Sequence, residues 1–286
     1  MQGRVGAASR SSFRTIVRLT LLPVAGLAIF LGWSALRPPV PAQPLPTVAS
    51  TTLRATAIVP PPKVIAPPSR GSIVIIIDDV GFEGQPLDRV MSIDPHINFS
   101  ILPNGNRTRD FARRLNARGF EILCHLPMEP LGNASPGANA ILTSMPDEEI
   151  ARTVRENVAS VPYARGVNNH MGSRATADRR VMESVIASLP KGMYFVDSRT
   201  GSSSVAADVA REMHVRSAAR HVFLDDDRSV VAIRRQLAEL AATAASRGLA
   251  IGIGHPHAST IEVLADEIPR LRESGFRFVR ASQAVN

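Results

Sequence analysis

The chain has 286 residues, 44% of them hydrophobic and 20% charged, with 33 basic against 25 acidic residues and a formal charge of +8. That charge is unevenly placed: residues 1–70 hold eight basic residues and no acidic one, so residues 71–286 carry 25 of each sign. A neutral body argues against a nucleic-acid-binding face, and the single cysteine, Cys124, excludes an internal disulfide.

Residues 1–18 form a basic leader containing Arg4, Arg10, Arg14 and Arg18. Leu19–Leu36 follows without a charge, just long enough to span a bilayer, with Trp33 placed for the far interface. The pattern predicts a signal anchor in the inner membrane. A cleaved signal peptide is the competing reading, although Val40-Pro41-Ala42 is a poor cleavage site. Either way the rest of the chain is expected on the periplasmic side. Residues 37–70 contain ten prolines and read as a semi-rigid spacer, with a reach on the order of 100 Å at ~3.1 Å per residue.

From residue 71 onward, apolar runs alternate with helical patterns. Strands are expected near 72–77, 97–102, 120–124, 166–169, 193–196, 220–224, 249–253 and 276–279. Helices are expected near 107–118, 146–160, 178–189, 203–213, 229–247 and 259–274. Pro146 followed by Asp147, Glu148 and Glu149 marks a helix start, and Arg247-Gly248 marks a helix end. Alternation of this kind predicts a parallel sheet or barrel, in which the carboxyl ends of the strands share one face.

The strands run into polar clusters. Ile73–Ile77 leads to Asp78-Asp79, Ile122–Cys124 to His125, Gly166-Val167 to Asn168-Asn169-His170, Tyr194–Val196 to Asp197, Val222–Leu224 to Asp225, and Ile251–Gly254 to His255. Adjacent carboxylates raise each other's pKa, and a metal ion holds both ionised. Strict alternation would point Asp78 and Asp79 to opposite faces, so both reach one site only if the backbone turns there; a helix-capping role for Asp79 is the alternative. His125 opens a long loop over 125–145, with Glu129 four residues on as a ligand or supporting group. Asn168 and Asn169 suit orientation of metal ligands or hydrogen bonding to a sugar. Asp197 beside Arg199 is either a structural ion pair or part of the site. Asp225 and His257 complete the candidates, while His214 and His221 read as structural.

In order, these motifs (Asp-Asp, His-x-x-x-Glu, Asn-Asn-His-Met-Gly-Ser, Asp-Ser-Arg-Thr and Gly-x-Gly-His-Pro-His) resemble the divergent polysaccharide deacetylases, a YibQ-like branch of the NodB-type carbohydrate deacetylases. The resemblance covers residues 71–286. It implies a distorted seven- or eight-stranded β/α barrel that removes acetyl groups from poly- or oligosaccharide. By the same resemblance Asp78 is the general base, Asp79 and His125 bind a divalent metal, and His255 is the general acid. The family's second metal histidine falls at Glu129, so His170 is our own candidate for the third ligand. The family's Arg-x-Pro-Tyr segment is absent, and Asn168-Asn169-His170 stands in its place. Zinc fits the mixed ligand set best, with other first-row metals open. A glycan-binding barrel without turnover and a metal hydrolase of another amide or ester are the remaining readings.

Overall fold

A computed structural model describes residues 69–286 of the protein. The basic leader, the hydrophobic segment and all but the end of the proline-rich spacer lie outside the described residues. Among the described residues no helix is long and apolar enough to cross a membrane.

The chain runs β1 (Gly71–Val80), α1 (Leu87–Met91), β2 (Asn98–Ile101), α2 (Thr108–Ala117), β3 (Glu121–Met128), α3 (Asp147–Ser160), β4 (Gly166–Met171), α4 (Arg179–Ala187) and β5 (Tyr194–Asp197). It continues through α5 (Ala206–Glu212), β6 (Ser217–Ala219), β7 (Val222–Phe223), α6 (Val230–Arg247), β8 (Leu249–Gly254), α7 (Ala258–Glu273) and β9 (Phe276–Phe278). All these strand pairings are parallel, in the order β6-β5-β4-β3-β2-β1-β8-β7, with β9 added on β1. Only Arg220 and His221 separate β6, which pairs with β5, from β7, which pairs with β8. The sheet therefore curls until its two ends belong to one stretch of chain, and helices flank it in the manner of a deacetylase-type β/α barrel.

Two apolar layers follow from the two-residue period of a strand. One face of the sheet packs Ile73, Ile75, Ile77, Cys124, Val167 and Phe195 against helix residues such as Leu115, Val154, Leu240 and Leu264. The other encloses Val74, Ile76, Leu123, Tyr194, Val196, Ile251 and Ile253, with the C-terminal Ala281, Ala284 and Val285 packed against them. Stepping two residues along these inner rows leads to Asp78, His125, Ser198 and His255. Alternation thus carries each inner strand row from hydrocarbon to a polar group at its carboxyl end.

Several expected boundaries shift for identifiable reasons. His125 lies inside β3 rather than at its end, because β3 keeps pairing with β4 as far as Met128 opposite Met171. The long loop accordingly begins at Glu129. The strand expected at 220–224 is shorter and is preceded by β6, whose Ser-Ala-Ala sequence has no strand signature. Helix α1 was not expected and is only five residues long. The helix signals hold: α3 begins with Asp147, Glu148 and Glu149, and α6 ends on Gly248 at φ +81°, a left-handed position that glycine adopts without strain.

Cys124 is wholly buried on the helix-facing side of β3, and burial pushes its thiol up to about 12. A thiol so placed offers no thiolate to a reagent. Labelling of the native protein at pH 8 should therefore proceed only at the rate at which the domain opens, and go to completion in denaturant. Fast native labelling would contradict this packing.

Candidate metal centre

The centre begins with a break in the period of β1. Asp78 follows Ile76 on the inner face and is 3% exposed, whereas alternation alone would turn Asp79 outward. Instead Asp79 has φ +57°, and the register with β2 slips between Ile77 and Val80. A left-handed residue in a bulge re-aims its side chain at a cost of about 1 kcal/mol or more. Both carboxylates therefore approach His125 Nε2, Asp78 Oδ2 at 3.5 Å and Asp79 Oδ1 at 3.2 Å. Gln85 holds the turn: its Nε2 donates to the Asp79 carbonyl (2.6 Å) and its Oε1 accepts from the Gly81 and Phe82 amides (2.9 and 3.0 Å).

Three ligand atoms converge beside this kink. Asp79 Oδ1 lies 3.2 Å from His125 Nε2 and 3.0 Å from His170 Nδ1, and the two imidazole nitrogens are 3.2 Å apart. Yet Asp79 Oδ1 is buried and accepts no well-directed hydrogen bond. The three atoms form a group that could hold one metal ion, and edges of this length suit ligands about 2.0–2.2 Å from a zinc-like cation.

The tautomer of His125 is set from behind by Asn168, which is 0% exposed. The carboxylate of Asp78 accepts from Asn168 Nδ2 at 2.9 and 3.1 Å, and Ser198 Oγ accepts from the same amide at 3.1 Å. With its NH2 turned that way, the Asn168 carbonyl faces His125 Nδ1 at 3.0 Å and Ser100 Oγ in a short contact. His125 Nδ1 therefore carries a proton and is committed to Asn168, which leaves Nε2 as the nitrogen available to a ligand in the cavity.

Electrostatics separate the two aspartates. Burial raises Asp78 above the usual carboxylate range, against the opposing pull of His125, His255 and Asn168. Burial acts the same way on Asp79, but the His125 and His170 imidazoles outweigh it and hold that carboxyl well below the usual range. On the far side, His255 Nδ1 lies 2.9 Å from Asp225 Oδ1, and Asp225 Oδ2 accepts from the His255 amide (2.6 Å) and from Thr260 Oγ1 (2.7 Å). Burial pulls His255 down, yet Asp225 first and then Asp78 and Asp79 push it up to about 9. Its Nε2 is 3.7 Å from Asp79 Oδ2.

The expected residues thus divide. Asp78, Asp79, His125, His170 and His255 come together, with Asn168 and Asp225 in contact behind them. His257 stands at the N-terminal boundary of α7 without a side-chain capping bond, its ring centroid 5.6 Å from that of His255, and Asp225, His255 and His257 form a second group that could hold a metal ion. Three residues have other partners in the structure. Glu129 Oε2 accepts from the Thr143 amide and hydroxyl at 2.6 and 2.7 Å, and Oε1 pairs with Arg174, so its side chain fastens the long loop. Asp197, one residue out of phase with the inner row, accepts from the Arg199 amide and from Ser204 Oγ, both at 2.8 Å; it forms no ion pair with the Arg199 guanidinium. Asn169, also out of phase, ties β4 to the loop after β5 through the Ser198 amide (2.8 Å) while its side chain borders the cavity. Arg199 sits in a left-handed conformation, φ +46°, two residues beyond β5. Sequence reading passed over Ser100, Ser198 and Gln85. Ser100 had a signal, since Asn98 and Ser100 are polar at alternate positions of a strand buried throughout; Gln85 had none. The two structural histidines include His221, whose Nδ1 accepts from the Ile251 amide.

A family model described as divergent polysaccharide deacetylase matches residues 75–285. The Escherichia coli K12 protein YibQ, itself uncharacterised, is 35% identical over 222 residues, spanning 77% of this chain and 69% of YibQ. An uncharacterised protein of Haemophilus influenzae Rd is 34% identical over 206 residues, 72% of this chain and 74% of that one. The crystal structure of an uncharacterised Agrobacterium tumefaciens C58 protein aligns over 77% of this chain and 91% of its own, with a TM-score of 0.73 and 22% identity, a likeness of fold.

Two outcomes are expected of this geometry. Asn168→Ala leaves the Asp78 carboxylate, the His125 Nδ1 proton and two serine hydroxyls without their shared partner, and should lower unfolding stability in chelator by about 2–4 kcal/mol. Urea unfolding that matches wild type would refute the hub. Because His255 is raised, the folded state gains stability from it in full below pH 6.5 and loses that gain as pH rises through about 9. In Asp225→Asn the imidazole NMR titration of His255 should move to lower pH, and the stability gap to wild type should narrow above pH 9.

Proposed function

The chain belongs to the divergent polysaccharide deacetylase family, and from that premise we propose that it is a metal-dependent hydrolase removing acetyl groups from the amino sugars of a cell-envelope glycan. The observation that carries this reading is the convergence of Asp79 Oδ1, His125 Nε2 and His170 Nδ1 within 3.0–3.2 Å, between a buried carboxylate and a carboxylate-held imidazole. Asp79, His125 and His170 would hold the divalent cation, zinc by its donor set, and the cation would supply Lewis acidity at the scissile carbonyl.

Hydrolysis of an N-acetyl group needs a base for the attacking water and an acid for the departing amine. Asp78 is the base: burial raises it, so it takes a proton more readily than an exposed carboxylate, and Asn168 Nδ2 holds it in place. His255, raised to about 9 and protonated at neutral pH, gives a proton to the sugar nitrogen as the C–N bond breaks. Asp225 keeps Nδ1 of that ring engaged, so that Nε2 is the donating atom. Acetate and a free amino sugar leave. A cavity of about 300 Å³, lined by Asp78, His125, His170, Ser198 and His255 among others, receives the reacting group.

The N-terminal sequence supports a place for this activity on the periplasmic side of the inner membrane, with Leu19–Leu36 as anchor and residues 37–70 as tether. A glycan is then the substrate within reach.

Metal analysis of the full-length protein tests the centre. Wild type should carry about one equivalent, His125→Ala and His170→Ala should lose it, and Asp78→Asn should keep it while acetate release from an acetylated oligosaccharide falls by roughly 10²–10⁴. Wild-type protein without metal under replete conditions would defeat the reading in favour of glycan binding. Turnover of simple acyl esters but not of acetylated sugars would favour a hydrolase of another amide or ester.

A further inference from the structure

A cavity of about 580 Å³ opens at the other end of the barrel, where the strands begin. Its lining includes the first residues of β3 and β5, Glu121 and Tyr194, and the residues just before β4 and β6, Arg165 and Arg216. Lys191, ahead of β5, and Arg280, after β9, add two more cations, and all four are exposed. Glu121 is the one carboxylate of the lining, and its oxygens are already engaged. Oε1 accepts from the Tyr194 hydroxyl (2.7 Å) and the Ser282 amide (2.6 Å), and Oε2 accepts from the Ser282 hydroxyl. Among the described residues none of the four cations pairs with a carboxylate, whereas Arg114, Arg179, Arg180 and Arg272 elsewhere each do. The neutral sum of residues 71–286 thus hides a division: Asp78, Asp79 and Asp225 gather at the carboxyl ends of the strands, and these cations at the amino ends.

We propose that the strand-amino end of the barrel docks on the anionic phospholipid surface of a bilayer, with this cavity taking headgroup phosphates and the metal centre opening away from the lipid. Cations gathered around one cavity repel each other, and an anionic partner relieves that repulsion. The guanidinium groups of Arg165, Arg216 and Arg280 offer paired N–H donors of the geometry that phosphate oxygens accept. Tyr163 belongs to the same lining, 53% exposed, and a phenol suits the boundary between headgroups and water. The point of attachment decides the occupant. The chain enters the barrel at this end: exposed Arg70 precedes β1, and its amide donates to the Gly275 carbonyl just before β9 at 3.0 Å. Arg247 at the end of α6 and Arg277 in β9, both exposed, continue the basic surface around that entry. In the sequence, Leu19–Leu36 is joined to the domain only through this entry, so the surface it is expected to bring near is a bilayer. The inference takes from the proposed localisation only that nearness, and it is independent of the deacetylase reading.

Because Cys124 is buried, one introduced cysteine can carry a fluorophore on the full-length protein. Asn116→Cys places it in the cavity lining, and Leu131→Cys places it in the long loop after β3, 61% exposed at the other end. Each labelled protein is reconstituted into vesicles that contain a quencher at headgroup depth. The Asn116 label should be quenched in phosphatidylcholine–phosphatidylglycerol vesicles, but not in phosphatidylcholine alone. The quenching should disappear at about 1 M salt, where the Debye length is ~3 Å. The Leu131 label should stay bright throughout. Arg165→Ala combined with Lys191→Ala should lower the ratio of docked to undocked protein by roughly 25-fold, about fivefold per cation, and Arg165→Lys should keep it. Quenching at Asn116 that ignores lipid charge, equal quenching at both positions, or a double variant that docks like wild type overturns the surface. Lipid composition and salt test it without touching the fold. A chain that fails to sediment with phosphatidylcholine vesicles refutes the anchor separately, and docking is then read from the vesicles with phosphatidylglycerol.

Discussion

One buried amide holds the centre together. Asn168 of β4 joins Asp78 of β1, Ser100 of β2, His125 of β3 and Ser198 just beyond β5, so a single side chain spans five adjacent strands at the carboxyl end of the sheet. Its two ends are chemically distinct, and a carboxylate can only accept. The NH2 group therefore faces Asp78, the carbonyl faces His125, and the tautomer of that histidine follows. Its Nδ1 is thereby committed to Asn168, and Nε2 is the nitrogen left to face Asp79.

The second constraint is the kink at Asp79. Two adjacent carboxylates on a regular strand would serve opposite faces, one in the barrel and one among the helices. A left-handed residue brings both to the same imidazole, His125, where different neighbours shift them in opposite directions. Asp78 is enclosed, and burial raises it. Asp79 lies among imidazoles, which hold it well below the usual carboxylate range. Against burial, His255 is raised as well, by Asp225 first, to about 9, so the two groups flanking Asp79 both hold their protons more tightly than the free side chains would.

Much of this was legible beforehand, and the reason is the period of a parallel strand. Apolar runs ending in Asp, His or Asn located β1, β3, β4, β5 and β8, and the residues two steps beyond the inner apolar rows are those that meet. The same rule explains the misplacements. Asp197 and Asn169 are polar and near strand ends, but they stand one residue out of phase and engage backbone and loop groups instead. Glu129, expected beside His125 as a ligand or supporting group, turns its carboxylate to Thr143 and Arg174, and the imidazole near His125 is that of His170 on the neighbouring strand. Strand β6 escaped notice because its pairing comes from the closure of the sheet and not from its own composition.

By itself, the sequence determined the alternation of strands and helices, the parallel sheet it demands, the family, and the identity of the residues that can carry the chemistry, because period and residue type are local properties. The tertiary structure alone decided which of them touch. The conformation of Asp79 depends on a bulge against β2 and on Gln85, the proton on His125 depends on an amide 43 residues away, and the pKa of His255 depends on a carboxylate 30 residues before it. Such couplings arise from distance and burial in three dimensions, and no spacing along the chain encodes them.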